Sequence, residues 1–245
     1  MMRLVFLVLV AFVIFALAYV VLQRKLLYYP SHHRDSNGLS QWRHDGRLIG
    51  YAREVPSPAN VWLLLHGNGG QASDRVYALP CFSSRDAVFI LEYPGYGERP
   101  GSPSMAAFNA AAREGYQALR SRFPKTPVCV VSESIGSGPA SMLAAHPQPP
   151  DKIVLISPFD ILHRVAAHHF PFLPARLFLW DNWNNIEALK EYRGALQIFA
   201  ARDDSIIPMA HAKALADSKP SASFHLIEGD HNEWATPGRV VIRNP

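Results

Sequence analysis

The stretch Val128-Cys129-Val130-Val131-Ser132-Glu133-Ser134-Ile135-Gly136-Ser137-Gly138 decides how the chain reads. It starts as a short apolar, β-branched run and changes abruptly into small residues. A buried strand that turns sharply into a helix needs that change, because the chain doubles back and leaves no room for larger side chains. Ser134 falls at the turn, where a nucleophile projects above the end of a sheet. The common form of such an elbow is Gly-x-Ser-x-Gly. Here it is Ser132-Glu133-Ser134-Ile135-Gly136, with serine in place of the first glycine.

Outward from the elbow, short apolar runs alternate with helical patterns. Residues 40–44 and 47–55 read as two extended stretches joined by Asp45-Gly46, a strong two-residue hairpin signal, and Pro56-Ser57-Pro58 closes them. Val61-Trp62-Leu63-Leu64-Leu65 is apolar throughout, the mark of a strand buried on both faces. His66-Gly67-Asn68-Gly69-Gly70 follows it as a glycine-rich loop, with Ser73-Asp74 expected to cap the next helix. Residues 87–91 form a second buried strand ending in Glu92-Tyr93-Pro94-Gly95-Tyr96-Gly97. Ser104 caps a helix whose Phe108, Ala112, Tyr116, Leu119 and Phe123 share one face. Residues 135–146 read as the helix after the elbow. Strands are expected at 152–156, 196–200 and 223–227, with a helix at 209–219. The alternation predicts an α/β fold, a mostly parallel sheet with helices on both faces. Residues 158–193 are irregular, rich in proline and aromatics, and suit a short cap over an open site.

An elbow serine needs a base, a carboxylate to orient that base, and donors for an oxyanion. In a parallel sheet such groups collect at the carboxyl ends of strands. Asp203 and Asp204 follow one late strand, and His231 follows the next, in Gly229-Asp230-His231-Asn232. The order Ser, Asp, His suits the fold. Both aspartates compete for the orienting role. His225 lies within its strand, and Ser132 and Ser137 read as packing or capping residues. The backbone N–H groups of Asn68 and Ile135 are the candidate oxyanion donors.

With those marks assembled, the chain resembles the α/β-hydrolase family, and within it the small, membrane-anchored serine hydrolases with a minimal cap. The resemblance rests on Leu26-Leu27-Tyr28-Tyr29-Pro30, His66-Gly67-Asn68-Gly69, Tyr93-Pro94-Gly95-Tyr96-Gly97, the elbow, Ser157-Pro158-Phe159, Asp204 four residues before Pro208, and the His231 loop. It covers residues 26–232. It implies an α/β-hydrolase fold and acyl transfer to water from an ester, a thioester or an amide, with Ser134, Asp204 and His231 as the catalytic residues. No metal or organic cofactor is implied. The spacing to Pro208 favours Asp204 over Asp203. Two features depart from the family pattern: Ser132 in the elbow, and a stretch after His231 too short for the usual final helix.

Composition bounds the rest. With 245 residues and 49% hydrophobic content, the chain fits one α/β domain, residues 26–245, after an N-terminal appendage, residues 1–25. Residues 4–22 carry no charge and are long enough to cross a bilayer, which predicts an N-terminal transmembrane helix and a single-pass membrane location. A cleaved signal peptide is the competing reading, with Ala16-Leu17-Ala18 as its site. The flanking charges do not fix which side of the membrane holds the domain. A net charge of +4 without a basic run argues against nucleic acid. Cys81 and Cys129 have no metal or disulfide spacing. His163, His168 and His169 lack a carboxylate or cysteine at ligand spacing, so no metal is expected. Phe159, Phe170, Phe172, Leu173, Phe178, Leu179 and Trp180 have two readings, acyl pocket or cap-to-core packing. Glu133 likewise reads either as a modulator of the entrance or as an exposed elbow residue. The expected partner is a small-molecule or lipid acyl substrate. The alternatives are a serine peptidase or amidase on the same fold, and an inactive binding protein.

Overall fold

The computed structural model describes residues 23–172 and 174–243, together with residues 3, 6 and 10. Its centre is one eight-stranded sheet: β1 (Ser40–His44), β2 (Arg47–Arg53), β3 (Val61–Leu65), β4 (Ala87–Leu91), β5 (Val128–Glu133), β6 (Lys152–Ile156), β7 (Ala195–Ala201) and β8 (Ser223–Ile227). The strands lie in the order β1-β2-β4-β3-β5-β6-β7-β8. β1 and β2 form an antiparallel hairpin, β2 pairs antiparallel with β4, and every later pairing is parallel. Asp45 and Gly46 both take positive φ, 49° and 76°, the geometry that a tight two-residue hairpin turn demands.

Alternation along the central strands divides the core. Leu63, Leu65, Phe89, Leu91, Val130, Ile153, Leu155 and Ile198 face one layer, and Trp62, Leu64, Val88, Ile90, Cys129, Val131, Val154 and Ile156 the other. On the first face lies α1 (Met105–Arg122), which buries Phe108, Ala112, Tyr116 and Leu119. The Ser104 hydroxyl starts it by accepting the Ala107 N–H at 3.1 Å. Around it are α2 (Ser137–Met142), α3 (Leu162–His169), α4 (Ala175–Phe178), α5 (Asn185–Leu189) and α6 (Met209–Ser218). The second face is covered by a 3-10 helix, Ala72–Cys81, and by Trp234, Val240 and Ile242 from the C-terminal stretch. Among the described residues no helix follows β8. The Ile242 N–H instead donates to the Cys81 carbonyl, and burial of Trp234 and Val240 pins the stretch to the sheet.

Two local expectations change. The helix after the glycine-rich loop is 3-10, with Gln71 rather than Ser73 or Asp74 at its N-cap; Asp74 sits inside and accepts the Gln71 N–H. Residues 135–146 are not one helix. A 3-10 turn at Ser134–Gly136, then α2, then a second 3-10 turn at Leu143–Ala145 replace it. Among the described residues no helix is long and apolar enough to cross a membrane. The expected anchor at residues 4–22 lies, apart from Phe6 and Val10, outside the described residues.

Candidate active site

β5 delivers Ser134 to the carboxyl edge of the sheet. Ser134 has φ 53°, a left-handed conformation that costs a non-glycine residue energy and is expected of a nucleophile at a strand-to-helix elbow. The backbone there passes so close to β3 that a Cβ on Gly136 would lie 2.2 Å from the Leu65 carbonyl oxygen, so only glycine fits. A Cβ on Gly138 would strike the Trp183 ring at 2.5 Å, which keeps α2 tight against the cap. Ser132 fits in the elbow at 1% exposure, with its hydroxyl buried and unpartnered.

The loops after β7 and β8 bring their residues together. His231 Nδ1 lies 2.8 and 2.9 Å from the two carboxylate oxygens of Asp204. Asp204 Oδ1 also accepts the backbone N–H groups of Ile206, at 3.0 Å, and Ile207, at 2.7 Å. An ionised carboxylate only accepts, so the proton sits on Nδ1 and the lone pair on Nε2. Asp230 stitches the two loops by accepting from Ser205 N–H at 3.1 Å and His231 N–H at 2.7 Å. Asp203 is exposed and engages Gly229 through its backbone, so between the two aspartates only Asp204 meets the imidazole. His225 is bonded to Gln197, away from this pair.

Ser134, His231 and Asn68 line one cavity of about 530 Å³. Its remaining wall includes Tyr29, Ile206, Tyr77 and Trp234. The Asn68 carbonyl accepts the Tyr96 hydroxyl at 2.9 Å, which holds that loop. Ile135 follows Ser134 at the start of the 3-10 turn and is buried. His66 is a packing residue: it is fully buried, with its ring against Tyr93 and Tyr96.

Glu133 overturns its reading as an exposed residue. It is buried and takes four donors: Gly67 N–H at 2.7 Å and Arg75 Nε at 2.5 Å on one oxygen, Tyr77 hydroxyl at 2.9 Å and Trp234 indole N–H at 2.8 Å on the other. Burial alone would push its carboxyl up, but the Arg75 guanidinium and the three other donors outweigh it and hold the pKa at about 2. The carboxylate thus joins the elbow to the Asn68 loop and to the His231 loop. Ser157, at the end of β6, was also missed as a site residue: it lines the cavity, has φ 46°, and buries an unpartnered hydroxyl.

The aromatic acyl-pocket reading fails for the cap. Phe159 is buried in the core, while Phe170, Phe172 and Trp180 are exposed, and none of them lines the cavity. Leu173 lies outside the described residues. Two of the three cap histidines are engaged elsewhere, His163 with Asn182 and His169 with the Ile206 carbonyl.

The fold and the sequence find matches among known proteins. A Pyrococcus furiosus esterase superposes with a TM-score of 0.64 at 13% identity, covering 86% of this chain and 91% of that one. An uncharacterized protein of Mycobacterium tuberculosis is 28% identical over 238 residues, 90% of this chain and 84% of its own length. The zebrafish (Danio rerio) lysophosphatidylserine lipase ABHD12 is 28% identical over 187 residues, 68% of this chain. The chain has the α/β-hydrolase fold. No family model matches the sequence. The chain spans about half the length of the ABHD12 relative, 49% of it.

Proposed function

We propose that this α/β-hydrolase is a serine hydrolase that cleaves acyl esters or thioesters through a covalent acyl-enzyme. The observation that carries the reading is the His231–Asp204 pair set over the cavity that left-handed Ser134 lines. In this scheme His231 Nε2 takes the Ser134 proton as Oγ attacks the acyl carbon. Asp204 holds the imidazole in the tautomer required and offsets the positive charge that forms on it. The N–H groups of Asn68 and Ile135 receive the oxyanion. Each donor of that kind is worth about 10²–10³ in rate. The tetrahedral intermediate collapses, His231 hands its proton to the departing alkoxide or thiolate, and water repeats the cycle on the acyl-enzyme.

A lipid acyl substrate fits a mostly apolar cavity whose wall includes the exposed Tyr29 and Ile206, and the charge-free residues 4–22 would hold the domain at a membrane. The test is a panel of esters and thioesters of graded acyl length, assayed with wild type and Ser134→Ala. Turnover that vanishes in Ser134→Ala is the expected result. Release of amines from peptides with esters and thioesters untouched would replace the reading with a peptidase, and no turnover of any acyl substrate would replace it with a binding protein.

A further inference from the structure

Large apolar side chains stand in solvent on the segment between β6 and β7: Phe170 is 57%, Phe172 97%, Leu177 76% and Trp180 61% exposed. The other four tryptophans, Trp42, Trp62, Trp183 and Trp234, are buried. Exposed apolar groups of this size in one neighbourhood mark a contact surface.

Specific bonds tie this segment to the mouth of the Ser134 cavity. α3 and α4 pack on each other. At the end of α3, His169 Nε2 lies 2.7 Å from the carbonyl of Ile206, which lines the cavity and is itself exposed. At the other end, the Trp180 N–H donates to the Gln23 side chain at 2.9 Å. Asp181 next to it accepts from Arg24 Nε and from the Tyr28 hydroxyl, each at 3.0 Å. Tyr29 follows, exposed and lining the same cavity, with Leu26 exposed beside it.

The charges are sorted as well. Within residues 23–30 and 158–184 the cations Arg24, Lys25, Arg164 and Arg176 are exposed; Arg24 and Arg164 are paired with the buried acids Asp181 and Asp160, so Lys25 and Arg176 supply the surplus positive charge. Residues 4–22, free of charge, lead directly into Gln23, the residue bonded to Trp180. About 20 apolar residues suffice to cross a bilayer.

We propose that this face docks on the surface of an anionic phospholipid bilayer, with Phe172, Leu177 and Trp180 entering the boundary between headgroups and acyl chains. Tryptophan favours that depth because its ring is apolar and its N–H is polar, and cations beside it meet the lipid phosphates. The cavity mouth then opens toward lipid, and an acyl chain reaches Ser134 without crossing bulk water. Docking itself is independent of any catalytic reading; the delivery of an acyl chain to Ser134 rests on the proposed function.

The test reconstitutes the full chain in vesicles of phosphatidylcholine and phosphatidylglycerol whose acyl chains are either ordinary or brominated, bromine being a contact quencher of indole. Residues 1–22 contain no tryptophan, so Trp180 is the indole available to lipid. Expected are a loss of emission in the brominated vesicles and the disappearance of that loss in Trp180→Ser. Phe172→Ser/Leu177→Ser should shrink it. Equal emission in both vesicle types, or an undiminished loss in Trp180→Ser, would overturn the proposal. So would emission that ignores bromine and follows the protein-to-lipid ratio, the signature of a second copy on this face.

Discussion

The Trp234 indole donates to Glu133 at 2.8 Å, linking the loop of His231 to the residue that immediately precedes Ser134. That bond fixes the distance between two elements that share no strand pairing. Trp234→Phe keeps the aromatic packing but removes the donor. Hydrogen bonds to charged groups are worth about 1.5–3 kcal/mol, so urea unfolding should show a loss of that order. kcat for a soluble ester should fall with it. Unchanged stability and kcat in Trp234→Phe would show that the bond constrains nothing.

The same carboxylate sets an acid dependence. Glu133 has an ordinary value of 4.5 and sits at about 2 in the fold, where burial raises it and Arg75, with the other donors, lowers it further. A group whose pKa falls on folding gives its full stabilisation above the unfolded value and loses it as pH drops to the folded value. The stability gap between wild type and Glu133→Gln should therefore hold steady at neutral pH and narrow between about pH 4.5 and about pH 2. Denaturant unfolding across that window measures it. A gap of constant size would mean that Glu133 is not held as a carboxylate.

Asp204 and Asp203 separate by function. Asp204→Asn should lower kcat by about 10⁴-fold with little change in KM, since an amide beside Nδ1 favours the wrong tautomer. Asp203→Asn should leave kcat unchanged, because Asp203 is exposed and meets its neighbours through its backbone. Steady-state kinetics on one ester decides between them.

Much of this was legible in the sequence. Continuous apolar runs such as Val61–Leu65 and Ala87–Leu91 announce strands buried on both faces, and the residues just past β5, β7 and β8 fall where a parallel sheet gathers its functional groups. Glu133 was not legible, because its four donors come from residues 67, 75, 77 and 234 and no local pattern brings them together. Its one local signal was position, at the last residue of a strand otherwise wholly buried. The cap was misread for the opposite reason: with Pro158, Pro171 and Pro174 breaking the periodicity, nothing in the sequence distinguishes an inward phenylalanine from Phe172, which is 97% exposed. The 3-10 character after the elbow follows from the Gly136 contact with β3, a tertiary constraint.

The elbow serine gives a further prediction. Ser132 carries a buried hydroxyl without a partner, a burden of about 1–3 kcal/mol for an unsatisfied polar group. Ser132→Ala should leave the chain as stable as wild type or raise its stability by about 1 kcal/mol, with hydrolysis retained. Marked destabilisation on thermal unfolding would show that the hydroxyl is bonded in solution and that the serine is required.

The central claim is that Ser134 is the nucleophile. The most direct measurement is reaction of the full chain with a fluorophosphonate, followed by mass spectrometry of the peptides. The account predicts one phosphonyl adduct on the peptide carrying Ser134, absent in Ser134→Ala and strongly slowed in an otherwise folded His231→Ala. A folded wild-type protein that takes no adduct, or takes it at another serine, would contradict it.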